Sequence, residues 1–264
     1  MKKFLSIAFA ALLAIACNKN EMPTQYGSVK LSIDQGASVF VKSEEPALPE
    51  IADDYIVSTT DANSSIVNAL SGTYGQIKDK QIAIAVGNYS VAAYNITAVE
   101  AEEGRGAQRF FGSKDTEVTV GELSQISFTC KMDNARVSFV FDDTFKQLFN
   151  TTDVNTPAKI VAHTVANSSR TIEYTHEATL AEDDSQIAYF NVDATDATLE
   201  FTITALRKSD SQVKTYTKTI TLQKQSWHQV TIKAATSQGS ADITINVDES
   251  IATVEHDIEV DPYN

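Results

Sequence analysis

From Val29 onward the apolar residues of this chain fall on every second position, and that period limits the fold more than any other feature. Val29, Leu31 and Ile33 alternate with polar neighbours, as do Val39 and Val41, then Ile82, Ile84 and Val86. Val118 and Val120 continue the pattern, followed by Ile126, Phe128 and Cys130. In the second half Val137, Phe139 and Phe141 alternate, then Leu199, Phe201 and Ile203, then Tyr216, Ile220 and Leu222. Val230 with Ile232, and Ile243, Ile245 and Val247, close the series. A period of two puts such residues on one face of a strand and leaves the other to solvent. Threonine is frequent on the polar face, which suits a pleated, half-solvated sheet. Turns are expected at Gly36, Gly87-Asn88, Gly112, Gly121 and Gly239. The fold class is therefore all-β. A polar break at Asp133-Asn134 divides it into two tandem β-sandwiches, residues 26–133 and 134–264, each with enough short strands for two sheets.

One helix is expected within this pattern, in the second sandwich. Asp142 or Asp143 can cap it, and Phe145, Leu148 and Phe149 share one face at i, i+3 and i+4. Residues 61–70 read either as a second short helix or as an irregular strand. Longer loops are expected at 42–54 and 98–108, and no repeat of solenoid length is visible.

The N-terminus carries an export signal. Lys2 and Lys3 precede an apolar run from Phe4 to Ile15, which is shorter than the ~20 residues a spanning helix needs. Residues 1–16 read as a signal peptide. Ala14-Ile15-Ala16-Cys17 resembles the bacterial lipobox, with Ala14 where a leucine is usual, so Cys17 is the expected lipid attachment site. Several acyl chains, at about 0.8 kcal/mol per buried methylene, hold such a protein on a membrane. Residues 17–25 are a polar tether between that lipid and the first sandwich. The expected location is the outer membrane, lipid-anchored and facing outward, with the periplasmic face as the alternative.

The chain has 35 acidic residues against 21 basic, a net charge of −14, and loss of Lys2 and Lys3 takes it to −16. An acidic chain repels phosphate backbones, which argues against nucleic acid as a partner. Asp53-Asp54, Asp142-Asp143 and Glu182-Asp183-Asp184 lack the spacing of a calcium loop and read as solvated turns. Cys130, the one thiol left beside the lipidated cysteine, sits at an apolar alternating position and reads as a small buried hydrophobe.

No nucleophile elbow, P-loop or paired-histidine zinc motif is present. His163, His176, His228 and His256 are scattered, so neither a metal nor a catalytic residue is assigned, and the covalent lipid is the only expected prosthetic group. Gly104-Arg105-Gly106 reads as a mobile turn in an acidic loop. Phe110 and Phe111 are adjacent and must face opposite sides of a strand. One of the two is therefore exposed, or covered by the other sandwich or a partner. They are the candidate ligand or partner contacts, with Tyr89 and Tyr94 as further rings for a sugar, although core or interdomain packing is the better-supported reading.

The chain also resembles a known class. Tyr26-Gly27-Ser28, Val86-Gly87-Asn88-Tyr89-Ser90-Val91, Phe110-Phe111-Gly112-Ser113-Lys114 and Val118-Thr119-Val120-Gly121 carry the likeness. The densest stretch is Thr129-Cys130-Lys131-Met132-Asp133-Asn134-Ala135-Arg136-Val137, and Trp227-His228 opens a late strand. These residues resemble the two-domain, fimbrillin-like surface lipoproteins of Bacteroides type. The resemblance implies tandem sandwiches of transthyretin-like, Greek-key topology, related to pilins and lipidated fimbrial anchors. Polymerising pilins of that class lose an N-terminal strand by cleavage at an arginine. Here the first arginine is Arg105, which favours a lipid-retained protein.

The expected function is a non-enzymatic surface adhesin or fimbrial anchor and assembly component. It would act through strand addition to a sheet edge or through surface protein contacts, with pilin-like or host surface proteins as partners. The alternative is a glycan-binding surface lipoprotein that captures polysaccharide.

Overall fold

A computed structural model describes residues 24–35, 51–151, 155–175, 186–192, 196–234, 245–247 and 253–260. Cys17, the tether before Thr24 and the strands expected at Val39–Val41 and Ile243 lie outside the described residues. The fold is all-β, and its sheets are sandwich-like.

In the first half the strands are β1 (Tyr26–Gln35), β2 (Ile56–Asp61), β3 (Gly72–Thr73), β4 (Ile82–Ala85), β5 (Gly87–Tyr94), β6 (Phe110–Val118) and β7 (Leu123–Met132). They follow the spatial order β3-β2-β5-β6-β7-β1-β4. In the second half the strands are β8 (Asn134–Phe141), β9 (Phe149–Asn150), β10 (Lys159–Thr164), β11 (Asn167–Thr175), β12 (Ala188–Asn191), β13 (Asp196–Arg207), β14 (Val213–Gln223) and β15 (Trp227–Ala234). β16 (Ile245–Val247) and β17 (Thr253–Val260) complete the strands of the described residues. These form one sheet ordered β11-β10-β13-β14, with β9 on β13, and a second ordered β12-β8-β15-β17-β16.

The two halves repeat one plan. β1 runs antiparallel to β4 and parallel to β7, and β8 runs antiparallel to β12 and parallel to β15. The antiparallel run β3-β2-β5-β6 corresponds to β11-β10-β13-β14. The second half adds β17, parallel to β15 along Trp227–Ala234. Buried hydrophobics collect into two clusters, one within residues 29–132 and the other within 135–260. In the second, Phe139 meets Tyr174 and Phe201 edge-on at centroid separations of 4.7 and 5.0 Å, a geometry that adds about 0.5–1.5 kcal/mol per pair beyond area burial.

The expected helix is α2 (Asp143–Leu148). A shorter one, α1 (Tyr74–Ile77), follows β3 behind a Thr73/Gln76 capping box. Asp142 is the N-cap of α2: its Oδ1 accepts the Phe145 N–H at 3.1 Å and the Thr144 hydroxyl at 2.6 Å. The helix ends one residue earlier than the expected face implies: Phe149 is extended and opens β9, yet it is fully buried like Phe145 and stacks on it at 4.5 Å, so helix and strand together close the second core. Of residues 61–70, only Asn68–Leu70 form a helical turn, of 3-10 type.

Two expected breaks move. Val120 does not extend β6 but is exposed in the turn that Gly121 makes at φ +71°. Gly112 is not a turn. It lies inside β6, where a Cβ would sit 2.6 Å from the Thr129 carbonyl oxygen of β7, so only glycine lets the strands cross this closely.

Candidate binding site at the junction of the two halves

The segment joining β5 to β6, residues 95–109, is held as a closed loop. At its neck the Asn95 amide donates to the Gln108 carbonyl at 2.9 Å, and Asn95 Oδ1 accepts the Phe110 N–H at 2.8 Å. Thr97 and Glu100 cap each other: the Thr97 N–H donates to Glu100 Oε2 at 2.8 Å, and the Glu100 N–H donates to Thr97 Oγ1 at 3.2 Å. Hydrogen bonds to its carboxylate from the Thr97 backbone, and then from the Thr97 side chain, lower the Glu100 pKa. They start a 3-10 turn, Glu100–Glu102, which aims Glu102 away from the first half.

Glu102 lands on the second half. Its Oε1 accepts the Asn191 backbone N–H at 3.1 Å, and its Oε2 accepts from the Asn167 amide at 3.2 Å. Arg170 Nη1 lies 3.7 Å from Oε1. Arg170 also donates to the Gly104 carbonyl at 3.1 Å and sets its guanidinium 4.9 Å from the Phe190 ring centroid. Burial lowers the Arg170 pKa, and the Glu102 charge opposes that shift. Arg105 reaches the same strands. Its guanidinium donates to the Glu173 carbonyl at 2.6 Å and lies 4.8 Å over Tyr174, while its carbonyl accepts the Tyr189 N–H at 2.8 Å. The Asn191 amide donates back to the Ala98 carbonyl at 2.8 Å.

Gly104-Arg105-Gly106 is therefore not a free turn but the docking point of the first half on β11 and β12. Gly106 is at φ +83°, and a Cβ there would lie 2.6 Å from the Ala101 oxygen and 2.8 Å from the Tyr189 oxygen. The loop also covers the outer sides of β11 and β12, whose backbone groups would otherwise template a foreign strand.

A second set of bonds secures the chain crossing. Asp133 pairs with Arg109, and Lys224 Nζ lies 2.7 Å from its other oxygen. The Asn134 amide donates to the Ala107 carbonyl at 2.8 Å, and the Asn134 carbonyl accepts the Gln225 N–H at 3.2 Å. Trp227, on β15, packs against the first hydrophobic cluster, with the Arg136 guanidinium 4.5 Å from its ring centroid.

Beside the Glu102 contacts lies a cleft of about 390 Å³. Glu102, Asn167 and Asn191 line its polar side with Thr198, and Val165, Ala166 and Ala197 supply methyl groups. Val165 sits on the β10–β11 hairpin tip, held by its N–H to the Thr198 carbonyl at 2.9 Å, and is 60% exposed. A shallower cleft of about 420 Å³ runs over β2, β5 and β6, lined by Asp61, Tyr89, Asp115 and Glu117 among others. Asp61 there already accepts the N–H groups of Asn63 and Ser65 at 2.8 and 2.9 Å. Among the described residues no group of three His, Cys, Asp or Glu is placed to hold a metal ion.

The residues singled out from sequence fall elsewhere. Phe110 is buried in the first cluster. Phe111 is half-buried on the opposite side, its ring 4.9 Å beneath the Arg109 guanidinium, which also lies 5.9 Å from Tyr94. Neither phenylalanine is laid open as a platform. Tyr89 is 7% exposed. Cys130 is buried, and burial pushes its thiol pKa up to about 12. His163 lies 3.7 Å from Glu200. His228 is fully buried beside Ser226, with 2.8 Å between Nε2 and Oγ. That Nε2 also accepts the Gln223 N–H at 3.1 Å, and the Ser226 hydroxyl bonds the Gln223 carbonyl, so the pair fastens the β14–β15 turn. His176 and Cys17 lie outside the described residues, as does the side chain of His256. Among the described residues no helix is long and apolar enough to cross a membrane.

A family model described as a domain of unknown function (DUF4493) matches residues 25–262. No curated protein matches the chain. Among solved structures, a candidate cell adhesion protein of Bacteroides eggerthii is similar over 92% of this chain and 100% of its own, at 9% identity and a TM-score of 0.41. A candidate adhesin of Bacteroides ovatus is similar over 83% and 88%, at 10% identity and a TM-score of 0.33. A candidate polysaccharide-binding protein of Bacteroides thetaiotaomicron is similar over 70% and 77%, at 13% identity and a TM-score of 0.30.

Proposed function

The chain belongs to the DUF4493 family, and we propose that it is a non-enzymatic binding protein of the cell surface, an adhesin-type arm held in the outer membrane by lipid on Cys17. The observation that carries this reading is the clamp formed by Glu102, Arg105 and Arg170. It commits three charged side chains to fixing one sandwich against the other. A rigid two-unit arm on a lipid tether can present a surface at a set distance from the membrane. The groups most apt for covalent chemistry are spent on structure. The Cys130 thiol is buried with a raised pKa, and the Ser226–His228 pair fastens a turn.

At the edges along β2, β11, β12 and β14, contact through faces and clefts fits this geometry better than strand addition. Residues 66–73 cover the outer side of β2, where Thr59 bonds Val67, Leu70 and Ser71. Loop 95–109 covers β11 and β12. β14 has an unpaired side among the described residues, but Lys214 and Lys218 stand opposite the buried Ala205 and Phe201 and so belong to the core-facing set of that strand. Inward-set lysines on an edge strand oppose pairing with another chain.

Intact cells treated with protease should lose the protein, and its mature N-terminus should be a lipidated Cys17. Cys17→Ala should release the protein and abolish attachment of the cells to the surfaces they colonise. Protease resistance on intact cells together with undiminished attachment of the Cys17→Ala strain would refute the reading.

A further inference from the structure

We propose that the cleft between Glu102 and the β10–β11 hairpin tip is a binding site for a neutral saccharide, one or two sugar units in size. This deepens the reading of the chain as a binding arm and rests on it. Small-ligand sites favour junctions between structural units and span about 300–1,000 Å³. The cleft, at about 390 Å³, lies at the lower end of that range; the first half contributes Glu102 and the second half the rest of its described lining.

Its chemistry selects the ligand class. Glu102 is the only ionisable residue among the described residues that line it, and Arg170, 3.7 Å away, offsets that charge. The cleft therefore favours neither a free anion nor a cation. Among the described residues that line it, the polar atoms left with bonding capacity are mostly acceptors. The Asn191 amide oxygen accepts no hydrogen bond among the described residues, and the NH2 of the same side chain is bonded to the Ala98 carbonyl. Each Glu102 oxygen accepts one hydrogen bond from the protein and keeps a lone pair. The Thr198 hydroxyl is unbonded among the described residues and can donate or accept. Such a set suits a ligand rich in O–H donors. Val165, Ala166 and Ala197 supply the apolar patch that the C–H face of a pyranose requires.

Fixed geometry is the remaining requirement. Asn191 is held at its backbone N–H by Glu102 and at its side chain by Ala98, so its free oxygen is fixed in position. No ring lines the cleft among the described residues, so affinity is expected in about the millimolar range, where a few hydrogen bonds and little buried area leave it.

The test uses the chain from residue 18 onward and a panel of neutral mono- and disaccharides, with charged sugars and inorganic phosphate alongside. Amide shifts in 15N spectra are followed during titration. At least one neutral sugar should give saturable shifts centred on Val165, Asn167, Asn191 and Thr198. Thr198→Val removes a hydroxyl that bonds nothing within the described protein. It should weaken that binding about threefold to tenfold, the worth of one hydrogen bond, without lowering Tm. Val165→Asp should weaken it further. A blank neutral panel, preference for the charged ligands, shifts centred on Asp61 and Asp115, or indifference to both variants would each overturn the site. Cell attachment lost in Cys17→Ala but kept in Thr198→Val, together with a blank panel, would remove the site while leaving the adhesive arm standing.

Discussion

Glu102, carried by a loop of the first half, accepts the backbone N–H of Asn191 in the second half at 3.1 Å. The same carboxylate takes the Asn167 amide and faces Arg170, so three groups of the second half depend on one side chain of the first. Glu102→Ala leaves a half-buried N–H without its acceptor and a mostly buried guanidinium without the carboxylate opposite it. The expected loss is about 1–3 kcal/mol in urea unfolding. Glu102→Gln keeps a neutral acceptor and should lose less. Equal losses would show that the charge opposite Arg170 carries the whole contribution and the neutral acceptor none.

Gly106 and Gly104 both have positive φ but differ in surroundings. A Cβ at Gly106 meets two carbonyl oxygens within 2.8 Å, whereas one at Gly104 meets nothing within 4 Å. Gly104→Ala should cost about 1–2 kcal/mol, the left-handed penalty alone. Gly106→Ala adds a clash with Ala101 and Tyr189 and should cost clearly more. Thermal unfolding of the two variants in parallel checks the order.

Asp142 caps α2 through its bond to the Phe145 N–H. Asp142→Ala should destabilise the second half by about 1 kcal/mol. Asp142→Asn should recover most of that, because its amide oxygen still accepts. Chemical denaturation of the three proteins gives both numbers.

Alkaline pH should destabilise the fold. Burial raises the pKa of Cys130, to about 12, and raises those of Tyr55, Tyr89 and Tyr174. Each group keeps its proton in the folded chain after an unfolded chain has released it. The unfolded state therefore binds fewer protons once pH passes the unfolded values, about 8.5 for cysteine and about 10 for tyrosine, and stability falls with rising pH from there. Below about pH 8 these groups should contribute no slope. Urea midpoints from pH 7 to 11 test the sign, and thiol labelling of Cys130 should stay slow until the chain opens.

The strands and α2 were legible in the sequence because their cause is local. Alternation at Val29-Leu31-Ile33 or Leu199-Phe201-Ile203 reports one buried face, and Asp142 three residues before Phe145 reports a cap. Gly112 misled because a glycine that permits close crossing looks like one that makes a turn. Val120 misled because alternation does not show where a strand ends. The junction was not legible. Glu102, Arg105 and Arg170 find partners far away in sequence, and a loop rich in acids with two glycines looks the same whether docked or free. Asn95 and the Thr97/Glu100 pair were the available signals, since both are local devices that order a loop. The repeated strand order of the halves was hidden as well, because many unrelated residues satisfy a period of two.

The claim that one rigid arm is built from two sandwiches is tested most directly by a distance between them. Spin labels at Ser113→Cys on β6 and Thr219→Cys on β14, both exposed, can be placed in a chain lacking Cys17, because Cys130 is buried. Pulsed electron spectroscopy should give one narrow distance distribution in the otherwise native chain, and a broader one once Glu102 and Arg170 are replaced by alanine. A broad or multiple distribution in the otherwise native chain would contradict the account.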